Sequence, residues 1–481
     1  MGKMEDLANI VGKEHIKTDK EILESFKTSL NFISGEVPEC VVEPQNLEDV
    51  QNLVRLANEK GFGLIPCSSK GNHIKGDTVP SVSGAVIVDL STMNKIIRID
   101  KRNKVAMVEP GVTFEELQAE VEEQGLRIEM PMLPRNGKSV LASLLDREPT
   151  TCPKYNWDAI DPLCCLELIF GTGDMFRTGN AVGPGTLEEQ WAAGQAQKVS
   201  MGPAQTELSR VIQGSQGTMG IATWATIKLE QKPKIRQGYI VGGETMDALI
   251  PFVYKMLWRK LPDVCLILNR VDLAAIYGCD QKDLPAWSVV YSISGLEYLP
   301  EERLSYIRKD IEELAEKFQV KPVQHLNGIS ADKLVDIITK PCGETYWKHK
   351  PKGGCLDLFF LTSLEKTPEF ITILENEVEE QGLPKENLGV YIQPIRHGTG
   401  CHLEFNLMYG PKQKTKAKAL FGSASQKCLD MGGFFSRPHG SWADMVYKKC
   451  PDTVRVLKKV KHIFDPKGIM NPGKLCFGKE V

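Results

Sequence analysis

The chain of 481 residues has no long apolar run; the roughly 18–20 consecutive apolar residues of a membrane span occur nowhere. A spanning helix is therefore not expected. It has no Cys-x-x-Cys, and its thirteen cysteines are scattered from Cys40 to Cys476, with Cys164 and Cys165 adjacent. That spacing excludes a zinc ribbon and the clustered motifs of iron–sulfur proteins, and fits buried free thiols in a reducing compartment. No Lys/Arg block interrupts a composition with a formal charge of -3, so no nucleic-acid partner is expected. The opening stretch MGKMEDLANIVGKEHIKTDKE carries acids throughout and no apolar h-region, so it reads as neither signal nor transit peptide, and a cytoplasmic location is expected. No internal repeat accounts for the length.

What is present is ordinary globular composition, 42% hydrophobic and 25% charged, over enough chain for two or three cores. From Val41 the text reads strand, Pro-containing turn and helix, with Val50, Leu53, Val54 and Ala57 at helical spacing, and then a second strand after Gly61 and Gly63. Strand-like runs follow at Ala85 to Leu90, Ile96 to Asp100 and Val105 to Glu109. A helix then opens with Thr113 as N-cap and Glu116 three residues on, a capping box. CCLELIFGTGDMFRTG reads as two strands about a Gly-rich turn, and Thr186 to Ile212 as loop with helical pieces. After Pro233 the pattern shifts to long helices, Met246 to Arg259 and Pro300 to Phe318, between strands at Cys265 to Asn269 and Trp287 to Ser294. Three segments are expected: residues 1–233, a second α+β domain over 234–430, and a return over 431–481.

Two Gly-rich loops invite a ligand. IPCSSKGNHIKGDTVP, from Ile65 to Pro80, offers backbone N–H groups and the hydroxyls of Ser68 and Ser69, the makings of an anion nest. Its spacing is neither that of a Walker loop nor G-x-G-x-x-G. GSQGTMGI, from Gly214 to Ile221, puts three glycines at a strand entrance, where backbone can approach a ligand or simply bulge.

In combination, five phrases carry a resemblance. EPQNLEDVQNLVRLANEKG, PCSSKGNHIKG followed by VIVDLSTMNKI, VEPGVTFEEL, LELIFGTGDMFRTG followed by IQGSQGTMGIAT, and HIFDPKGIMNPGKL stand in the order found in flavoproteins of the vanillyl-alcohol oxidase and p-cresol methylhydroxylase superfamily, which includes the glycolate oxidase and D-lactate dehydrogenase flavin subunits. The chain resembles that family over most of residues 40–232 and 390–476. The resemblance implies an α+β fold: a split FAD-binding domain of the p-cresol methylhydroxylase type with an inserted α+β cap. It also implies FAD, with the diphosphate held by the loop Pro66, Ser68, Ser69, Lys70, Gly71, Asn72, His73 and Gly76, and further contacts at Pro110, Gly217, Gly220 and Ile221. Lys70-Gly71 and Ala142-Ser143 depart from the p-cresol branch, and with neither His nor Tyr in KGGCLDLFFLTS, where only Cys355 offers a nucleophile, non-covalent FAD is expected.

Hydride transfer to a flavin needs a base for the substrate hydroxyl, a cation for developing charge and a rigid pocket. GFFSRPHGSWADMVY is similar to the R-x-H-x-x-x-x-D phrase of the phenol-oxidising branch, which implies Arg437 as anion stabiliser and His439 as a pocket residue. Ser436 stands where that branch often has tyrosine. In IQPIRHGTGCHLEFNLMYG, strand alternation sends His402, Glu404 and Asn406 to one face, with His397 across a Gly-rich turn. This is similar to the histidine phrase of the hydroxy-acid branch, but Glu404 replaces the second histidine, and no metal is expected. The polar groups expected to face substrate are Arg437, His439, His397 and Glu404. The expected enzyme is an FAD-dependent dehydrogenase of a small hydroxylated molecule, an alcohol or 2-hydroxy acid. Oxidation of a 4-alkylphenol and a flavin subunit passing electrons to a partner protein remain the alternatives. A homo-oligomer or a subunit of a complex is expected.

Overall fold

The computed structural model describes residues 2–71, 74–159, 161–203 and 207–479. The first sheet is built around the strands Cys40–Val42, Val86–Asp89 and Leu64–Cys67, paired parallel in that spatial order. The helix Leu47–Lys60 makes the crossover. Asn46 caps it by accepting from the Asp49 N–H, it buries Val50, Leu53, Val54, Leu56 and Ala57, and it stops at Gly61, whose φ of 68° suits glycine. The second sheet is antiparallel in the order Ile96–Asp100, Val105–Val108, Gly220–Lys228, Leu163–Phe170, Met175–Arg177. The capping box of Thr113 and Glu116 is present and opens the helix Phe114–Glu123. Beyond the sequence reading, a short helix Val140–Leu145, capped by Ser139, packs Val140, Leu141 and Leu144 into the core of the second sheet.

The cap is a seven-stranded antiparallel sheet in the order Pro322–Val323, Ile235–Gly243, Trp287–Gly295, Val264–Asn269, Leu388–Ile395, Gly400–Tyr409, Gly354–Thr362. One face carries Leu358, Phe360, Leu403, Phe405, Val390 and Ile392 under the helices Met246–Trp258, Pro300–Phe318, Thr367–Glu380 and Lys414–Asp430. The other face of the same three strands carries Asp357 and Phe359, His402, Glu404 and Asn406, and Tyr391 and Gln393, as their cross-strand register requires. Apolar side chains alternate with these polar ones, so one sheet face builds a core while the other builds a site. The cap core also takes Phe435 and Trp442, beyond residue 430 where the sequence pattern puts the return.

The last segment ties the first part of the chain together. Residues 469–471 run beside the strand Leu64–Cys67, through Leu64 N–H to Ile469 O at 2.8 Å and Asn471 N–H to Leu64 O at 2.8 Å. The Asn471 amide donates to Asp77 O at 2.8 Å and Gln216 O at 2.6 Å. Lys474 donates to Gly76 O at 2.9 Å and Val79 O at 2.6 Å, and buried Lys461 donates to Thr218 O and to Met470 O at 3.0 Å. A 400-residue detour thus ends by bracing both Gly-rich loops from behind.

Candidate active site

A continuous cavity runs from the two Gly-rich loops to the polar face of the cap sheet. At the loop end it is lined by Pro66, Ser68, Ser69, Pro110, Gly217, Gly220 and Ile221, seven of the residues the sequence resemblance assigns to FAD. Three others do not line it. The Lys70 side chain turns out toward Glu116, Gly71 makes a left-handed turn, and Gly76 packs against Ile33, where a Cβ would come within 2.6 Å. Asn72 and His73 lie outside the described residues. The loop is pinned from the side by Lys70 N–H to Gly137 O at 2.9 Å and by Ser139 N–H to Ser69 Oγ at 3.1 Å. Gly217, at φ 72°, sits so close to Pro66 that a Cβ would fall 2.5 Å from its ring, so the two loops interlock only through glycine.

These residues fit a dinucleotide-sized anion. Thr78 and the cation Arg135 both line the cavity, and Thr78 Oγ1 is buried with no protein partner among the described residues. An unpaired buried hydroxyl and a cation in one lining fit a phosphate-bearing ligand.

Two groups of charges occupy the other end. In the first, Lys75 bonds Asp146 at 2.6 Å and Glu148 at 2.7 Å, and Lys138 reaches Glu148 at 3.2 Å. Arg437, only 4% exposed, lies 3.5 Å from Asp146 and stacks its guanidinium 4.2 Å from the Phe359 ring centre. His439 lies 3.2 Å from Asp146 and edge-on to Phe359. Burial alone would raise the Asp146 carboxyl, but Lys75 and His439, then Arg437, hold it well below the usual range.

In the second group, Lys348 is 6% exposed and contacts Glu404 at 2.7 Å and Asp357 at 3.0 Å. Glu404 also takes His402 Nε2 at 2.9 Å. Burial would raise Glu404, but Lys348 and His402 outweigh it and keep it ionised. His402 is fully buried among Trp157, Phe359 and Tyr391, and burial lowers its imidazole to about 4 despite Glu404. A neutral His402 with Nε2–H on Glu404 leaves Nδ1 as a lone pair, and that atom has no protein partner among the described residues.

The structure brings Arg437 and Glu404 to the cavity wall and sets His439 just behind it, through Asp146. His397 stands apart: it lies on the turn between the last two strands, half-exposed, its N–H on Pro153 O at 2.7 Å, while the site is built at mid-strand. Tyr155 bonds Glu230 at 2.6 Å and does not line the cavity, whereas Tyr391 does and donates to Gln393 at 2.8 Å. Ser436 Oγ bonds Asp158 at 3.0 Å. Sequence reasoning missed Lys75, Asp146, Glu148, Asp357 and the segment Tyr346, Trp347 and Lys348. That segment hangs from the cap and is tied to the first domain by Asn136 N–H to Cys342 O at 3.1 Å and Cys342 N–H to Pro134 O at 2.6 Å. No three His, Cys, Asp or Glu side chains among the described residues are disposed to hold a metal ion, and no described helix is long and apolar enough to cross a membrane.

The buried pair makes the fold acid-sensitive. An unfolded His takes its proton from about pH 6.5 downward, whereas native His402 refuses it until about 4. The unfolded chain therefore binds more protons in that window, and stability is expected to fall with pH across it by roughly 3 kcal/mol from this residue. Below it Glu404, ionised when native, extends the loss. Urea unfolding of wild type and His402→Asn at about pH 7 and about pH 4.5 measures the effect; the variant should lose much of the pH dependence, and parallel curves would refute it.

Residues 38–179 match the family model described as FAD binding domain, and 363–475 match that described as the C-terminal domain of FAD linked oxidases. An FAD-linked oxidoreductase of Mycobacterium tuberculosis is 24% identical over 98% of this chain and 98% of its own length. The glycolate oxidase subunit GlcD of Bacillus subtilis is 23% identical over 92% of this chain and 90% of its own length. The crystal structure of p-cresol methylhydroxylase with substrate bound shares the fold at a TM-score of 0.82, with 18% identity over 99% of this chain and 96% of that one. With an FAD-binding domain and the C-terminal domain of FAD linked oxidases both present around one cavity, the chain is an FAD-linked oxidoreductase with the fold of p-cresol methylhydroxylase.

Proposed function

We propose that this enzyme oxidises a small 2-hydroxy acid to the 2-oxo acid, the C–H leaving as hydride and the O–H as a proton. The observation that carries the reading is Arg437, a buried guanidinium facing the cavity across Phe359 from the His402–Glu404 pair. FAD, when bound, supplies the hydride acceptor. The remaining tasks fall to side chains of this chain. Arg437 seats the substrate carboxylate with its planar donors and steadies negative charge as it develops. Asp146 and the Phe359 ring hold that guanidinium in place, with His439 behind. Glu404, with neutral His402 next to it, accepts the hydroxyl proton. Tyr346, Trp347 and Tyr391 wall the space and keep water out. The name of the glycolate oxidase subunit among its relatives agrees with this chemistry. His397 takes no part in this scheme, and a separate electron-transfer protein is included as the electron acceptor.

Tyr346 and Tyr391 on the same wall, together with the fold shared with p-cresol methylhydroxylase, favour oxidation of a 4-alkylphenol as the second reading. Anaerobic mixing of the purified flavoprotein with glycolate, D- and L-lactate and 4-methylphenol decides between them. Bleaching of the flavin by a hydroxy acid is the expected result. Bleaching by the phenol alone establishes the second reading, and reduction only by a partner protein makes the chain an electron-transfer subunit.

A further inference from the structure

The cap-sheet wall of the cavity carries its charges unevenly. Along the strand Gly354–Thr362, Asp357 and Phe359 point to the same face, about 7 Å apart. Over Phe359 lies Arg437, whose surroundings hold the cations Lys75, Lys138 and Arg437 against the carboxylates Asp146 and Glu148, one positive charge in excess. At Asp357 the balance reverses. Lys348 faces both Asp357 and Glu404, all three at most 8% exposed, which leaves one negative charge in excess. His402 is neutral and cannot offset it, and buried Asp272 behind Asn406 titrates at about 7 and adds negative charge if anything. Arg135, the remaining cation of the lining, has its guanidinium 3.6 Å from where a Cβ on Gly71 would be, on the loop side.

Beside this negative end stand Trp347, 2% exposed, and Tyr346. Trp347 is on the lining, and its Nε1 is buried without a protein partner among the described residues. An unpaired indole N–H accommodates a neutral oxygen, and the rings accommodate alkyl or aryl surface.

We infer, resting on the reading of the site given above, that the enzyme selects 2-hydroxy acids with one carboxylate and an uncharged tail, and rejects those whose tail carries a second carboxylate. The first carboxylate goes to Arg437. A second one reaches the Lys348 end, where the ammonium is already outnumbered and its two partners cannot move into water without leaving it. One uncompensated unit charge at about 7 Å and an effective dielectric of about 20 corresponds to a roughly fiftyfold penalty, and tenfold survives generous screening.

The test compares 2-hydroxybutyrate with malate, which match in carbon number and differ in the tail carboxylate. Stopped-flow reduction of the flavoprotein should favour 2-hydroxybutyrate by at least about tenfold in rate over concentration. Asp357→Asn leaves Lys348 with a single carboxylate and should narrow that ratio severalfold. Equal or faster reduction by malate in the wild type overturns the inference whether or not the variant folds, as does an unchanged ratio in a folded Asp357→Asn. If neither acid reduces the flavin while 4-methylphenol does, the hydroxy-acid reading itself fails and takes this inference with it.

Discussion

Lys348→Met is expected to destabilise the protein by about 3–5 kcal/mol, the cost of removing one partner from a buried ion cluster. The Lys348 ammonium lies 2.7 Å from Glu404 and 3.0 Å from Asp357, each carboxylate 8% exposed. Burial alone would lower the lysine, yet Asp357 and Glu404 hold it protonated, so the charge is present at neutral pH. With methionine in its place two carboxylates face each other without a counterion, and neutral His402 cannot replace it. Thermal melts of the flavoprotein should drop by roughly 3–5 °C. Combining Lys348→Met with Asp357→Asn and Glu404→Gln should restore most of the loss, since the cost is the orphaned charge rather than the missing stem. A single-variant loss below about 1 kcal/mol, the worth of an exposed pair, would show that the cluster is wetter than its geometry says.

The elements that were legible in the sequence are those whose signals are local. The helix Leu47–Lys60 announced itself by four buried positions at helical spacing and by Gly61, and the helix Phe114–Glu123 by Thr113 and Glu116. The six-residue helix Val140–Leu145 gave no such signal, because it is too short to show a period, although Ser139 caps it. The helix Lys3–Val11 was also missed; it buries only Leu7 and Val11, against the core beside the helix Leu47–Lys60. The order of the cap strands was not legible either, since the neighbours Val264–Asn269 and Leu388–Ile395 lie more than a hundred residues apart in the chain.

The site divides in the same way. Alternation along Gly400–Tyr409 put His402 and Glu404 on one face, and the 2.9 Å bond between them is the physical form of that pattern. The same logic applied to GCLDLFFLT singles out Asp357, an acid amid apolar residues on a strand with no reason to be buried except a partner. The partner could not be read. Lys348 sits in a loop among other lysines, and only the folded chain shows that Lys350 and Lys352 are exposed while Lys348 is not. His397 illustrates the converse, a residue that matches a phrase by spacing but is carried off the wall by the turn it occupies.

Arg437→Met is expected to lower the rate of flavin reduction over substrate concentration by about 10²–10³, the loss seen when a preorganised donor to developing charge is removed. Unlike Lys348, this cation can be removed without stranding its partner. Asp146 keeps Lys75 at 2.6 Å and His439 at 3.2 Å, and the methionine stem can still cover Phe359, so folding and FAD content should be close to wild type. Arg437→Lys keeps the charge but loses the planar fork, and should fall between the two. If the guanidinium seats the carboxylate, binding of a 2-oxo acid product, read from the flavin spectrum, must weaken in step with the rate. A rate lost with product affinity intact would move Arg437 from carboxylate seat to a role in the chemical step alone, and a rate within fivefold of wild type in a folded, FAD-loaded variant would remove it from the site.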